Sequence, residues 1–271
     1  MNTAKVYIAI PYVTPALEID CSRSNVTTYL EYLFFPYAKY NPRRNDYFKI
    51  SFADCCDGKI RVYHRYSKGQ EIKDIIRYIE AFIIRNAYAT DGYIMLHGGA
   101  ISRNGKAVAI LGNSYAGKST ATAYFCAKGF EYLTDDRVLI NANTLQVMPF
   151  QRKIMLRSNT TSLLKGIYNI SISTNEIDLD GIQRSIYEPT AEVTRTSYLE
   201  KIIILNRRMS GGICSDNLKQ GEALETLMMY GMNVKNYMHI DRYRKISRCG
   251  VSEVYYSNLF DLEKYVLEVF A

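Results

Sequence analysis

Eight consecutive residues carry the clearest chemistry in the chain: Gly112-Asn113-Ser114-Tyr115-Ala116-Gly117-Lys118-Ser119, which reads G-x-x-x-x-G-K-S. Such a segment suits the holding of phosphate groups. Glycines allow a tight backbone path that aims N–H groups at phosphate oxygens, the lysine ammonium neutralises terminal phosphates, and the serine hydroxyl ligates magnesium. Residues 107–111 before it are apolar and the residues after it suit a helix, so a strand, a loop and a helix are predicted in that order. A glycine loop that merely caps a helix is the plainer alternative, and the four fixed positions in the right context outweigh it. Residues 112–119, with Thr120 as the next helical residue, are therefore the candidate nucleotide site: Gly112, Asn113, Ser114, Tyr115, Ala116, Gly117, Lys118, Ser119 and Thr120. ATP and Mg2+ are the cofactors this implies.

Two further groups belong with the loop. Residues 130–133 read as a short strand that ends in Thr134-Asp135-Asp136. A carboxylate at the end of a neighbouring strand is where such a site holds magnesium or its water. Neighbours on an extended segment point to opposite faces, so Asp135 and Asp136 are expected to divide the labour, one accepting a proton and the other supporting metal or backbone. A polar turn before the next strand is the ordinary alternative. His97 enters by register. Asn104-Gly105 predicts a two-residue hairpin pairing Arg103 with Lys106, and continuing that ladder sets His97 opposite Gly112, about 5 Å away. A slip at Gly98-Gly99 would undo that placement, and a histidine satisfied at a strand end is the alternative.

The elements that must position these groups follow from periodicity. Residues 1–66 alternate short apolar runs with turn signals, which predicts a small antiparallel sheet with Asp57-Gly58 closing a hairpin. Ile72, Ile75, Ile76, Ile79, Phe82 and Ile83 recur at helical spacing, giving an amphipathic helix that reaches about residue 89. Residues 118–128 form the helix after the loop, stopped by Gly129. Strands are expected at 138–140, onward to Phe150, and at 201–205, with helices at 218–230 and 259–269, the latter capped by Asn258. Residues 157–195 are polar and read as loops over a site.

The 271 residues, 48% hydrophobic, exclude a disordered chain and suffice for a sizeable core. Residues 1–10 are too short and wrongly flanked for a secretory signal, and no stretch has the length to cross a membrane. Six cysteines without C-x-x-C pairing read as reduced thiols, hence a cytoplasmic location. A net charge of +7 is spread along the chain and fits an anionic substrate. Its densest run, residues 235–248, reads as a solvated face or a dock for an acidic peptide in preference to a nucleic-acid patch.

His97-Gly98, the 112–119 loop, Lys128-Gly129-Phe130 and Leu133-Thr134-Asp135-Asp136-Arg137-Val138 together resemble the catalytic core of the HPr serine kinase/phosphorylase family. The likeness is strong over residues 93–140. It implies an α/β fold with a P-loop HPr kinase-like (PEP-carboxykinase-like) core over 91–271 and a small N-terminal β-rich module with its amphipathic helix over 1–90. It also implies that Lys118 and Ser119 handle phosphates and magnesium, that Asp135 is the base for a substrate serine, and that Asp136 and His97 support it, with Ser119 and Asp136 on the metal. The family's glycine-rich second signature has no counterpart, which sets HPr and the reverse reaction aside. The compact layout looks more like divergent members that phosphorylate ribosomally made peptide precursors, including those of lasso peptides. The expected activity is transfer of the ATP γ-phosphoryl group to a peptide serine, with a small-molecule hydroxyl kinase and a nucleotide-dependent binding module as the alternatives. The expected partner is a peptide or protein substrate, with no membrane or nucleic acid, and homo-oligomerisation stays open.

Overall fold

Residues 107–111 are apolar without a break, which in a strand means burial on both faces. They form the middle of a central strand and each is fully buried. The computed structural model describes residues 92–150, 152–179, 182–189, 196–232 and 239–271, together with strands at 4–8, 16–21, 38–39, 47–54 and 60–62. By contacts the chain divides into two units, one of Met1–Thr90 with Ile177–Gln183, the other of Asp91–Glu176 with Arg184–Ala271.

The first unit contains β1 (Ala4–Ile8), β2 (Ala16–Cys21), β3 (Ala38–Lys39), β4 (Tyr47–Asp54) and β5 (Ile60–Val62), ordered β3-β1-β2-β4-β5. The sheet is mixed, whereas the sequence pattern suggested an antiparallel one: β2 runs parallel to β4. A parallel neighbour needs a crossover of a dozen or more residues, and residues 22–46 are long enough to supply it. The hairpin partners are as expected, with Phe52 opposite Val62, while the Asp57-Gly58 turn and the helix over 72–89 lie outside the described residues.

The second unit begins with β6 (Tyr93–Leu96), β7 (Gly99–Arg103), β8 (Lys106–Gly112), α1 (Lys118–Ala127), β9 (Glu131–Thr134), β10 (Val138–Asn141) and β11 (Gln146–Met148). The chain continues with β12 (Ile154–Arg157), α2 (Ser158–Tyr168), β13 (Thr174–Leu179) and β14 (Ile182–Tyr187), whose residues 177–183 fall by contacts in the first unit, then β15 (Ser197–Arg207), β16 (Cys214–Asn217), α3 (Gln220–Tyr230), α4 (Ile240–Ile246), β17 (Val251–Tyr256) and α5 (Leu259–Phe270). The large sheet is ordered β6-β10-β11-β15-β8-β7-β9, with β17 on β15 and β16 on β17; β12-β14-β13 form a second, small sheet. Parallel pairing joins β8 to β15 and β15 to β17, and the remaining pairs of the large sheet are antiparallel. Alternate residues Val108, Ile110, Ile203, Leu205 and Val254 join Tyr124 and Phe125 of α1 and Leu259, Leu262 and Val266 of α5 in one apolar core.

Two strand connections in this sheet are very short. Only residues 97–98 separate β6 from β7, and only 135–137 separate β9 from β10, yet β6 and β10 lie at one end of the strand order and β7 and β9 at the other. Two residues span roughly 11 Å between flanking Cα atoms, whereas five strand spacings in a flat sheet amount to about 24 Å. The sheet is therefore strongly curled. β6 with β7 and β9 with β10 act as two long strands, each bent once. Leu96 pairs with Val138 and Ala100 with Thr134, so a single register runs through the gap. The gap is a corner in a two-stranded ribbon, and it sets Gly99 opposite Asp135.

This corner corrects one expectation. The Asn104-Gly105 turn and its register are as predicted, with both residues at positive φ and Arg103 opposite Lys106. The β7–β8 ladder stops at Gly99 with Ile110, however, and His97 does not pair with Gly112. Residues 157–195 are likewise not all loop, since α2, β13 and β14 occupy much of them; the Ser-, Thr- and Asn-rich composition of α2 hides a helix whose Leu164 is fully buried. The strand expected to reach Phe150 ends at Met148, and Phe150 forms a separate bridge with Thr134. Asn258 caps α5 as expected, accepting from the N–H of Asp261.

Candidate active site

The 112–119 segment links β8 to α1 as the spacing requires. Gly112 and Gly117 take φ values of 148° and 92°, and a Cβ on Gly117 would collide with the Tyr256 hydroxyl. That hydroxyl donates to the Ala116 carbonyl at 2.7 Å, so a β17 residue pins the loop from outside. Tyr115 also adopts a left-handed conformation, φ 71°, uncommon for a bulky residue. Its ring is exposed and lies under the Arg157 guanidinium at 3.7 Å. Lys118 is buried, and its ammonium donates to the carbonyls of Gly112 at 2.9 Å and Asn113 at 3.2 Å. Desolvation pulls its pKa down, while the Asp135 carboxylate pulls it the other way.

The two carboxylates leave the ribbon corner in different directions. Asp135 is almost wholly buried, and the Ser119 hydroxyl beside it favours its ionised form. Its Oδ1 is buried with no hydrogen-bond partner among the described residues. Burial pushes its pKa up, opposed by Arg152, Ser119, Lys118 and Arg137. Gly99 keeps this path open: a Cβ there would stand 3.4 Å from Asp135 Oδ1 and collide with Thr122 Oγ1. β7 lies between β8 and β9 in the sheet, so Asp135 reaches the loop across a strand that carries no side chain at that point.

Asp136 has φ 66°, a conformation that Asp tolerates better than most residues and that costs about 1–2 kcal/mol. Its carboxylate pairs with the guanidinium of Arg152, one of the largest fully buried side chains. His97 donates its backbone N–H to Tyr230 at 2.8 Å, and its Nδ1 lies 3.2 Å from the Asp136 carbonyl. His97 thus meets the backbone of the second aspartate at the corner. Arg137, also buried, donates to that same carbonyl at 3.3 Å.

A cavity of about 540 Å³ opens beside the loop, with Tyr115, Lys118, Ser119, Thr120 and Asp136 among its lining residues. Its other wall includes Arg157, Asn159, Thr160, Arg184 and Arg207, from β12, α2, β14 and β15. Sequence reasoning did not find Arg152, Arg157, Arg184, Arg207 or Tyr256. None belongs to a spaced motif. The one available signal was the Arg152-Lys153 pair before an apolar strand, where two cations enter the core against Asp136 and Glu188.

Among the described residues no cluster of three or more His, Cys, Asp or Glu side chains could hold a metal ion. A cation here would depend on Ser119 with a single carboxylate and on ligand phosphates, the usual manner for magnesium. The buried unpartnered oxygen of Asp135 beside the Ser119 hydroxyl fits such an ion. No described helix is long and apolar enough to cross a membrane.

No family model and no curated protein matches the chain. Among solved structures, the HPr(Ser) kinase/phosphatase from Coxiella burnetii aligns over 65% of this chain and 99% of its own, with 10% identity and a TM-score of 0.32. The likeness is distant and concerns the fold alone. The basic run at 235–248, read from sequence as a solvated or docking face, includes α4 and makes internal contacts: Arg242 donates to the Tyr93 carbonyl and Lys245 to Asn143.

Proposed function

We propose that this protein is an HPr kinase-like phosphotransferase that moves the γ-phosphoryl group of ATP to the hydroxyl of a serine in a peptide, with a ribosomal natural-product precursor as the substrate class. The observation that carries the reading is the convergence of a glycine loop, a buried lysine and Asp136 on one side of a cavity, with the buried carboxylate of Asp135, its Oδ1 unpartnered among the described residues, acting on that lysine. The backbone N–H groups of 112–119 and the Lys118 ammonium would bind the donor phosphates once the lysine leaves the Gly112 and Asn113 carbonyls. Ser119 with Asp136 or Asp135 would hold magnesium, which would supply charge neutralisation on the transferring group. The acceptor oxygen bonds to the γ-phosphorus, the bond to the β–γ bridging oxygen breaks, ADP leaves, and the hydroxyl proton passes to Asp135. A pKa held up by burial suits a carboxylate that must take a proton near neutral pH. Arg152 holds Asp136, and His97 braces the backbone just after it, at the Asp136 carbonyl. Such a reaction is mostly positioning and charge stabilisation, so a rigid corner is an apt support for it.

One observation favours a second assignment of the carboxylates: the Ser119 hydroxyl acts on Asp135. On that reading Asp135 shares the metal with Ser119, and Asp136, which lines the cavity, faces the acceptor. The deciding experiment uses γ-labelled ATP, magnesium and serine peptides. With Asp135 as base, Asp135→Asn lowers transfer by about 10²–10⁴-fold and leaves magnesium–nucleotide affinity in place. A steep rise in the magnesium requirement of that variant would support the second assignment. Unchanged transfer would sink both.

A further inference from the structure

The two halves of the glycine loop are held by different means. In the first half, the Gly112 and Asn113 carbonyls accept from Lys118, so those peptide units must turn when the lysine moves to a donor phosphate. The second half has an anchor that does not involve Lys118. The Ala116 carbonyl accepts from the Tyr256 hydroxyl at 2.7 Å, and the helical bonding of α1 starts one residue later, with the Ala121 N–H on the Gly117 carbonyl. Ala116 and Tyr256 are both buried and neither lines the cavity, whereas Gly117 does. In a planar trans peptide the carbonyl and the following N–H point in opposite directions. With its carbonyl tied to Tyr256, the unit joining Ala116 to Gly117 therefore turns the Gly117 N–H away from β17, to the side on which Gly117 meets the cavity.

Tyr256 is itself fixed. It is the last residue of β17, opposite Arg207 in the parallel ladder with β15, and its carbonyl accepts from the Arg208 N–H at 2.8 Å. The same strand β15 pairs Leu205 with Gly112, where the loop begins. One strand thus references both the entry of the loop and the anchor of its exit. Burial pushes the Tyr256 pKa up to about 12, so the hydroxyl stays a donor at any working pH. Gly117 permits the approach, since a Cβ there would collide with that hydroxyl.

We propose that Tyr256 is a positioning residue for the phosphate donor: its hydroxyl holds the peptide between Ala116 and Gly117 so that the Gly117 N–H faces a nucleotide phosphate. It is the fixed point about which the rest of the loop rearranges when Lys118 swings to the phosphates. Tyr256 touches no reacting atom and acts through the loop backbone. The inference rests on the nucleotide-binding half of the phosphotransferase reading and adds to it a residue far along the chain from the loop.

Tyr256→Phe keeps the ring in the core and removes only the hydroxyl. Magnesium–ATP is titrated into the full-length wild type, Tyr256→Phe, Gly117→Ala, the double variant and Val266→Ala, and label transfer to a serine peptide is followed in parallel. Tyr256→Phe is expected to weaken ATP binding by about three- to tenfold. Its KM for ATP should rise in step while KM for the peptide stays within about twofold, a split that general loosening of the fold would not produce. Val266→Ala, a truncation in the α5 part of the same core, should lower the melting temperature and leave ATP affinity within about twofold. The hydroxyl and Gly117 meet directly, so the double variant should lose less than the product of the two single losses. Unchanged ATP affinity in Tyr256→Phe overturns the proposal, as do an equal loss in Val266→Ala and a double variant whose losses simply multiply. Weaker binding in Tyr256→Phe with no label transfer by the wild type would keep the positioning role and refute the kinase reading. A wild type that binds no ATP overturns both.

Discussion

The two walls of the cavity are built in opposite ways. The loop wall is one continuous stretch, residues 112–120, whose shape is set by its own backbone: glycines at positive φ, a helix starting at Lys118, and a lysine folded onto its own loop. The arginine wall takes Arg157, Arg184 and Arg207 from three elements remote in sequence, joined only by strand pairing and packing. Between them lies the ribbon corner, where Asp135 turns to the loop and Asp136 to Arg152. A wall fixed by local backbone should fail locally when perturbed, and a wall assembled from remote parts should fail by losing stability.

The largest expected effect tests the assembled side. Asp136→Ala takes one carboxylate from a guanidinium that is only 2% exposed, and breaking a buried ion pair costs about 3 kcal/mol. Thermal unfolding should move down accordingly, with amide exchange rising first around residues 152–157, while the 112–119 segment keeps its protection. Exchange rising equally in both walls would erase the distinction. Gly117→Ala is the converse perturbation, expected to cost roughly 1–3 kcal/mol through left-handed strain and the clash with Tyr256. Its main readout is nucleotide affinity, which should fall with little change in exchange over β12 and β14. Adding Tyr256→Phe should recover part of that loss by removing the hydroxyl from the new methyl group, at the expense of one hydrogen bond to Ala116.

The smallest effect has the opposite sign. The pKa of Asp135 is raised in the folded protein, so its ionisation disfavours folding, and the stability it supports at low pH is lost as pH rises from its unfolded value through the folded one. At neutral pH and without magnesium, Asp135→Asn should therefore raise the melting temperature, by about 2–4 °C for each kcal/mol relieved. The gap between variant and wild type should close as pH is lowered. Magnesium with nucleotide should stabilise wild type and variant alike if Asp135 is the base, and the wild type more if Asp135 shares the metal. A variant less stable than wild type at neutral pH would show that the carboxylate is satisfied where it stands.

The same contrast decides what was legible in the sequence. The loop, its strand and helix, the Asn104-Gly105 hairpin and the Asn258 cap are written in neighbouring residues, and each was readable because its physics is local. His97 was misplaced in detail, since a ladder counted forward from a turn gives no sign of where a strand bends away. Gly98-Gly99 marked the bend, and a Cβ on Gly98 would strike the Ile110 carbonyl, but the glycines alone do not say which strand the chain turns to follow. The arginine wall had no local signature at all. Arg157 lies at the edge of a polar helix and Arg184 in a short strand between stretches of low hydrophobicity, so the pairing of β12 with β14 was needed to bring them together.

The ribbon corner also bears on how this chain can change over generations. Because Leu96 faces Val138 and Ala100 faces Thr134 in one register, the three residues 97–99 and the three residues 135–137 form bends of matched length. Gaining or losing one residue in either bend would turn every side chain of the strand beyond it to the opposite face of the sheet. The length of the corner can change only in both strands at once. Descendants of this sequence should therefore keep the spacing from Leu96 to Ala100 and from Thr134 to Val138 long after the surrounding residues have drifted, and distant kin are better sought by those two intervals than by the letters between them.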